Sequence, residues 1–245
     1  MTVEDTTRTD DALVQTQDLA MHFPQKNGLL GRTKSWVKAV DGVDLTVRPG
    51  RTLGLVGESG CGKTTLGRCL VRAYEPTGGS IRYRRPDDEL VDLAGLPEKQ
   101  LKPYRSQIRM IFQDPFSSLN PRKTLQEIIG EPLRMHGITA RSEIDDRVGV
   151  LLDSVGLRAE YAQRYPHAFS GGERQRVVIA RALALEPRLV VADEAVSALD
   201  VSVRAQILNL LRDLQEQKGL TYVFISHDLG IVEHIADEVA VMYVG

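Results

Sequence analysis

A chain of 245 residues has room for one large α/β domain or two small ones, each with a real core. Its 42% hydrophobic and 26% charged content is that of an ordinary soluble globular protein, and a formal net charge of -2 argues against a dedicated nucleic-acid surface while leaving a local basic patch open. No apolar run approaches the roughly 18 residues needed to cross a bilayer, and the acidic, polar N-terminus is unlike a signal peptide, so the chain is expected to stay in the cytosol.

Residues 1–12 hold Thr, Asp and Glu with little apolar content and read as a disordered tail. Leu13 to Phe23 reads as an edge strand, followed by an exposed, basic, glycine-rich loop from Gln25 to Lys34. Val37 to Val40 restarts strand structure, Asp41-Gly42 signals a hairpin turn, and Val43, Leu45 and Val47 alternate behind it up to Pro49-Gly50. Leu53, Leu55 and Val56 form a buried strand that runs into Gly57-Glu58-Ser59-Gly60-Cys61-Gly62-Lys63-Thr64-Thr65, and a helix follows to Ala73. That stretch fits G-x-x-x-x-G-K-[ST], the phosphate-binding loop, in the strand-loop-helix context it requires. Its glycines let backbone N–H groups and the helix dipole point at phosphates, Lys63 would reach the outer phosphates, and the Thr64 hydroxyl would bind Mg²⁺. Cys61 and Cys69 would sit roughly 12 Å apart along one element, too far for a disulfide, and neither has a metal-ligand partner nearby in sequence.

Pro76 to Gly79 is a turn and Ser80 to Tyr83 a strand, while the polar, proline-punctuated residues 84–100 read as a surface excursion. Ile108 to Phe112 is a short apolar run ending at Gln113-Asp114-Pro115. Thr124 to Leu157 has helical periodicity interrupted at Gly130, Pro132 and Gly137 and reads as an inserted helical subdomain. Ser170 with Glu173 forms a capping box that starts a helix running from Glu173 to about Leu185, which Pro187 stops. Leu189 to Ala192 is a continuous apolar strand running into Asp193-Glu194, and Leu220 to Ile225 is another ending at Ser226-His227-Asp228, with one helix face of Val203, Ile207, Leu211 and Leu214 between them.

Four strands thus finish near Gly57, Gln113, Asp193 and His227, each with a polar group just beyond its carboxyl end, where open parallel α/β sheets bind ligands. Asp193 suits a carboxylate that holds Mg²⁺ through water, and Glu194 a general base for water attacking the γ-phosphate. Gln113 either orients water or completes the Mg²⁺ shell, and His227 hydrogen-bonds the transferring phosphoryl group. Taken alone, an acidic pair after a strand is more often a helix cap and a lone His more often structural; the phosphate loop tips both toward chemistry.

Ser170-Gly171-Gly172-Glu173-Arg174-Gln175-Arg176 resembles the signature motif of ATP-binding-cassette (ABC) ATPases. Leu189 to Glu194 resembles their Walker B strand with its catalytic Glu, Ser197 to Asp200 their D-loop, Gln113 their Q-loop and His227 their switch histidine, over about Leu13 to Gly245. Gly28 to Arg32, Val37 to Val43, Phe112 to Pro121 and Ser197 to Leu211 look like the F-type ATPase of peptide/nickel importers. The resemblance implies ATP and Mg²⁺ as ligands and an α/β phosphate-loop NTPase core, a mostly parallel sheet with helices on both faces. To that core it adds an antiparallel β subdomain (13–50 and about 76–105) and a helical subdomain (about 122–169) within one domain, 13–245. It further implies adenine stacking on Phe23, and contact of Ser170, Gly171, Gly172 and Glu173 with a partner's γ-phosphate. The implied partners are a second ATPase subunit, a D-type paralogue or the same chain, two permease subunits, and indirectly an extracytoplasmic binding protein, with no nucleic acid. Such a subunit would lie peripherally on the cytoplasmic face of the cell membrane.

Three departures stand out. Glu173 occupies a position where the family often has Gln, placing a negative charge near a phosphate. Ala195 stands where Pro usually follows the catalytic Glu, so the turn at Glu194 is expected to be less constrained. The chain stops at Gly245 inside an apparent strand and is expected to be a truncated form. The alternatives are a non-transport ABC ATPase acting on ribosomes or DNA, and an ATP-binding regulatory module without turnover. Glu194 and His227 together disfavour the latter. Nothing in the sequence selects the transported solute, import over export, or a homodimer over a heterodimer.

Overall fold

The computed structural model describes residues 11–26, 33–112, 114 and 118–245. Expectations for residues 1–10, the Gly28 to Arg32 loop, Gln113 and Pro115 to Ser117 lie outside them.

Two sheets carry the chain. The first is antiparallel, in the order β2-β1-β4-β5, with β1 Val14–Lys26, β2 Thr33–Val47, β4 Gly78–Arg84 and β5 Leu90–Asp92. The second is parallel, in the order β6-β7-β8-β3-β9, with β3 Thr52–Val56, β6 Ile108–Ile111, β7 Leu189–Asp193, β8 Thr221–Ile225 and β9 Glu238–Val241. The strands β3, β7 and β8 are buried along their whole length, which is why their sequences are mostly apolar without in-out alternation, with Thr52, Asp193 and Thr221 as buried polar residues at their ends. Helices α1 Lys63–Leu70 and α2 Glu98–Gln107 precede β6; α3 Leu125–Met135, α4 Arg141–Ser154 and α5 Gly171–Leu183 lie between β6 and β7. Among the described residues two more follow, α6 Val201–Lys218 between β7 and β8 and α7 Leu229–Ile235 between β8 and β9.

Four local expectations change. β1 is an interior strand paired with both β2 and β4, because the later chain returns to cover the side that looked like an edge. Asp41-Gly42 is no hairpin: β2 runs straight through it, and Gly42, at φ 78°, is the extra residue where the register shifts between Leu19↔Val43 and Ala20↔Asp41. A glycine between two alternating runs serves a bulge as well as a turn, and the long partner strand β1 decides for the bulge. α3 continues through Gly130 and Pro132 and breaks only beyond Met135, near Gly137, whose φ is 94°. Burial of Ile128, Ile129 and Leu133 outweighs the propensity cost, and Gly130 lets Ile144 of α4 come close.

Residues 84–100 are also less peripheral than their polarity implies. Within them lies β5, and Leu93 just after it is 1% exposed. The anchor is Arg72, at the end of α1, whose Nε donates to Leu93 O at 2.7 Å and whose Nη2 donates to Leu96 O at 3.0 Å. Only 8% of Arg72 is exposed, and its bond to Leu93 O is buried while that to Leu96 O is partly so, so the guanidinium satisfies main-chain acceptors at a largely covered position. Arg72→Met preserves the stem and removes these donors. It is expected to lower unfolding stability by about 2–3 kcal/mol, measured by urea denaturation, with the hydrolysis rate per folded molecule unchanged.

Candidate active site

The site begins with strand register. Across β7, β8 and β3, Asp193 pairs with Ile225 and Ile225 with Leu55, so the carboxyl ends of three strands stop at one level. Ser226 N–H donates to Leu55 O (3.2 Å) and Glu194 N–H to Ile225 O (2.9 Å), which extends the lacing one residue beyond the strands. The polar residues that follow each strand therefore meet.

After β3 the loop bends back on itself and enters α1 at Gly62, whose φ of 108° lies in the left-handed region. A Cβ at Gly62 would stand 2.0 Å from Ala39 O, so β2 presses on the loop where only glycine fits. Gly62 supplies no side-chain cap to α1, whereas Ser170 caps α5, Asp200 caps α6 and Asp228 caps α7. The first N–H groups of α1 are thus left for an anion. Lys63 is 5% exposed, and its ammonium donates to Gly57 O (2.8 Å) and Glu58 O (2.7 Å), drawn back over the loop. Cys61 and Cys69 are both free and buried; burial pushes the Cys69 thiol up to about 11.

Next along α1, the Thr64 hydroxyl donates to Asp193 Oδ1 at 3.0 Å. Asp193 is 3% exposed, and burial holds its carboxyl above the ordinary value of 3.8, with the neighbouring Glu194 adding repulsion and the Thr64 bond, Arg68 and Lys63 opposing it. A buried carboxylate beside a hydroxyl is a pair of hard oxygen donors that gains from a cation. Among the described residues no group of three or more His, Cys, Asp or Glu could hold a metal. Few protein oxygens beside a phosphate loop fit Mg²⁺, which keeps waters and substrate phosphates as its other ligands.

Glu194 has φ 48°, a conformation that costs a non-glycine residue roughly 1–2 kcal/mol. Three hydrogen bonds hold it there: its N–H to Ile225 O, and its own carbonyl accepting from Ser197 N–H (3.1 Å) and Ser197 Oγ (2.9 Å). The turn that lacks proline at Ala195 is therefore constrained by Ser197, and Ala195 itself is 3% exposed. His227 Nδ1 lies 3.1 Å from Glu194 Oε1, which brings together the ends of β7 and β8.

Phe23, on β1 opposite Val37, packs edge-on to Tyr74 with ring centroids 5.6 Å apart. Tyr74 takes a hydrogen bond from Arg68 of α1 at 2.7 Å, so the aromatic pair is tied to the helix that carries Thr64. The Ser170 group stands elsewhere, at the start of α5. Ser170 Oγ accepts from Glu173 N–H (3.3 Å) and donates to Glu173 Oε2 (2.8 Å), and Ser170 N–H donates to the same carboxylate oxygen (2.9 Å). The Ser170 bonds hold the Glu173 carboxyl below the usual range. Gly172 lies where a Cβ would meet Val203 of α6 at 2.4 Å, so this motif packs on the helix that follows Asp200.

Ser197, Ile225 and Arg68 contribute contacts that the sequence does not announce: the first two act through main-chain carbonyls, which carry no side-chain signal, and Arg68 reaches the Tyr74 hydroxyl beyond the end of α1. A cleft of about 520 Å³ opens beside Asp193, lined by Thr64, Arg68, Phe112, Asp114, Ser118 and Arg181.

Comparisons place this arrangement. The family model described as ABC transporter matches residues 40–197. The oligopeptide transport ATP-binding protein AppF of Bacillus subtilis is 51% identical over 241 residues, 98% of this chain and 72% of its own length. The dipeptide transport ATP-binding protein DppF of Escherichia coli is 51% identical over 95% of this chain and 68% of its own. The glutathione import ATP-binding protein GsiA of Salmonella paratyphi A is 50% identical over 99% of this chain, which spans 38% of that protein. Among solved structures, the dimeric post-hydrolysis state of the ATP-binding cassette MJ0796 bound to ADP and Pi superposes with a TM-score of 0.79 at 27% identity, covering 95% of both chains. The chain belongs to the ABC transporter family and has the fold of its ATPase cassettes.

Proposed function

We propose that this chain is the ATP-hydrolysing subunit of an importer of peptides or similar small solutes, with ATP held at the phosphate loop and Mg²⁺ at Thr64 and Asp193. The observation that carries the reading is the meeting of Lys63, Thr64, Asp193, Glu194 and His227 at the level ends of three adjacent strands, in a chain half identical to peptide-transport ATP-binding proteins.

The loop from Gly57 to Thr65 surrounds the phosphates, with Glu58, Ser59, Gly60 and Cys61 contributing backbone. Lys63 exchanges its two carbonyl partners for phosphate oxygens. Bound Mg²⁺ supplies charge neutralisation on those oxygens. Glu194 takes the proton of the attacking water, and His227, held to the same carboxylate, presents its other ring nitrogen toward the transferring group. Phe23 stacks on adenine, its ring set by Tyr74. Gln113 is assigned to the water or the metal by resemblance, outside the described residues. Ser170, Gly171, Gly172 and Glu173 serve a partner's nucleotide, since this chain has its own phosphate loop. MJ0796, which pairs as a dimer in its solved structure, supports that division of labour. Ser170 must then release its proton from Glu173 to offer it to a phosphate.

No helix among the described residues is long and apolar enough to cross a membrane, which supports a peripheral subunit beneath two permease subunits, working with a second ATPase subunit. The cleft that Thr64 and Asp193 line also reaches Phe112 and Asp114, and by resemblance it is that outer end which passes movement from the nucleotide site to the permeases.

Asp193 yields the first expectation. Its folded carboxyl titrates above the ordinary 3.8, so ionising it costs stability. That cost is absent below pH 3.8 and complete once pH exceeds the folded value. Asp193→Asn, which still accepts the Thr64 bond, is expected to raise the melting temperature of the nucleotide-free chain by a few degrees at neutral pH, with no gain in acid, and to abolish Mg²⁺-dependent hydrolysis. A lowered melting temperature at neutral pH would contradict it.

The function itself is tested in two arms. Mixed with its partner ATPase, the chain is expected to hydrolyse ATP faster than alone, and Glu194→Gln to cut that rate by at least about 100-fold while ATP-dependent pairing persists. Deleting its gene is expected to abolish uptake of a labelled di- or oligopeptide and spare free amino acids. Unchanged peptide uptake would remove the solute assignment and leave the ATPase standing; equal rates for wild type and Glu194→Gln would remove the ATPase.

A further inference from the structure

Two loops border the catalytic pair of Glu194 and His227. One runs from Ser197 to Asp200 and enters α6; the other runs from Ser226 to Asp228 and enters α7. Each is closed by an aspartate that caps its helix. Asp200 Oδ1 accepts from Val203 N–H (3.0 Å) and from Ser202 Oγ (2.9 Å). Asp228 Oδ1 accepts from Gly230 N–H (3.0 Å) and Ile231 N–H (3.4 Å). One oxygen of Asp228 is thus spent on its own helix.

Its other oxygen faces a residue from the other loop's helix. Arg204, in the first turn of α6, has Nη1 at 3.6 Å from Asp228 Oδ2, while Nη2 donates to Leu199 O at 3.1 Å. One guanidinium therefore spans from the carbonyl just before Asp200 to the carboxylate just after His227. Its third nitrogen, Nε, is buried with no hydrogen-bond partner among the described residues. A side chain that leaves a buried donor unmatched while its two terminal nitrogens reach separate loops is held by the geometry of those loops, at some cost to itself.

His227 depends on such a tie. Its side chain is 57% exposed, so packing does not fix it. The backbone beneath it is set by Ser226 N–H on Leu55 O and by Asp228 N–H on Ser226 Oγ (3.0 Å), and Asp228 is the residue Arg204 reaches. The other end of the tie, Leu199, lies two residues beyond Ser197, whose two bonds hold the strained carbonyl of Glu194. Base and histidine are therefore connected twice, directly through Glu194 Oε1 and His227 Nδ1, and again through Ser197, Leu199, Arg204 and Asp228.

We propose that Arg204 is a positioning residue for ATP hydrolysis, which locks the loop bearing His227 to the loop following Glu194 so that the two move as one unit. The inference rests on the ATPase reading above. At 3.6 Å the Arg204–Asp228 pair is an ion pair without a good hydrogen bond, and both side chains are partly exposed, so it adds little to stability. Its effect falls on geometry. Lysine, a single point donor, cannot span both partners.

The test compares the full chain with Arg204→Ala, Arg204→Lys, Asp228→Asn, which keeps an oxygen for the α7 cap, and the Arg204→Ala/Asp228→Asn double variant. Steady-state ATP hydrolysis is measured with its partner ATPase, with melting temperature alongside. Each single variant is expected to lower kcat about tenfold with KM for ATP within about twofold, and the double variant to be no slower than the slower single, since both break one connection. Arg204→Lys is expected to remain closer to Arg204→Ala than to wild type. If Arg204→Ala does not fold, Arg204→Lys and Asp228→Asn carry the same comparison. Wild-type kcat in the Arg204 variants, losses that multiply in the double variant, or a loss carried entirely by KM would overturn the positioning role while the ATPase reading stands. No turnover by the wild type would overturn both.

Discussion

Everything at the candidate active site hangs on the level register of β7, β8 and β3, in which Asp193, Ile225 and Leu55 lie side by side. A shift of one residue in any of these strands would turn its side chains to the other face and withdraw one member of the site. The register is guarded by burial, because all three strands are covered on both faces and any slip would expose apolar residues or bury polar ones. Further hydrogen bonds just past the strand ends, from Ser226 and Glu194, continue the alignment into the loops proposed to carry the chemistry.

Stability and function pull against each other at the end of β7. Asp193 is buried where its charge is disfavoured, and Glu194 sits in a left-handed conformation that few non-glycine residues occupy. Neither feature helps the chain fold. Both suit a site where a cation and a reacting water meet, since the carboxylate that burial penalises is the one a bound cation would favour, and the strained turn aims Glu194 toward His227. Bonds donated by Ser197 and Thr64, and the one that Ile225 O accepts from Glu194 N–H, keep this unfavourable arrangement in place. The same logic extends to Ser170, whose hydroxyl proton is engaged by Glu173 and has to be released before it can serve another ligand.

The phosphate loop, the fully buried strands and the Ser170–Glu173 capping box were legible in the sequence because each is local: a run of apolar residues, a glycine pattern, or two side chains one helical turn apart. The features that stayed hidden depend on distant partners. Gly42 reads as a turn until β1 is seen to run alongside it, and β1 reads as an edge until β4 returns to its open side. The segment near Leu93 looks like solvent-exposed loop because its anchor, Arg72, lies 21 residues earlier and binds main-chain carbonyls, which leave no mark on sequence. Ala195 suggested a loose turn for the same reason: the constraint resides in backbone bonds to Ser197 and Ile225. Within the site, Lys63, Thr64 and Asp193 follow from chemistry readable in order along the chain, whereas the tie from Arg204 to Asp228 needs the fold.

The most direct measurement is calorimetric titration of ATP into the Glu194→Gln chain, which should bind without turnover, in the presence and absence of Mg²⁺. Should Thr64 and Asp193 form the metal position beside the phosphate loop, one ATP binds per chain, and affinity falls by about tenfold or more when Mg²⁺ is withheld or Thr64 is replaced by Ala. Binding of equal strength with and without Mg²⁺, unaffected by Thr64→Ala, would contradict the account at its centre.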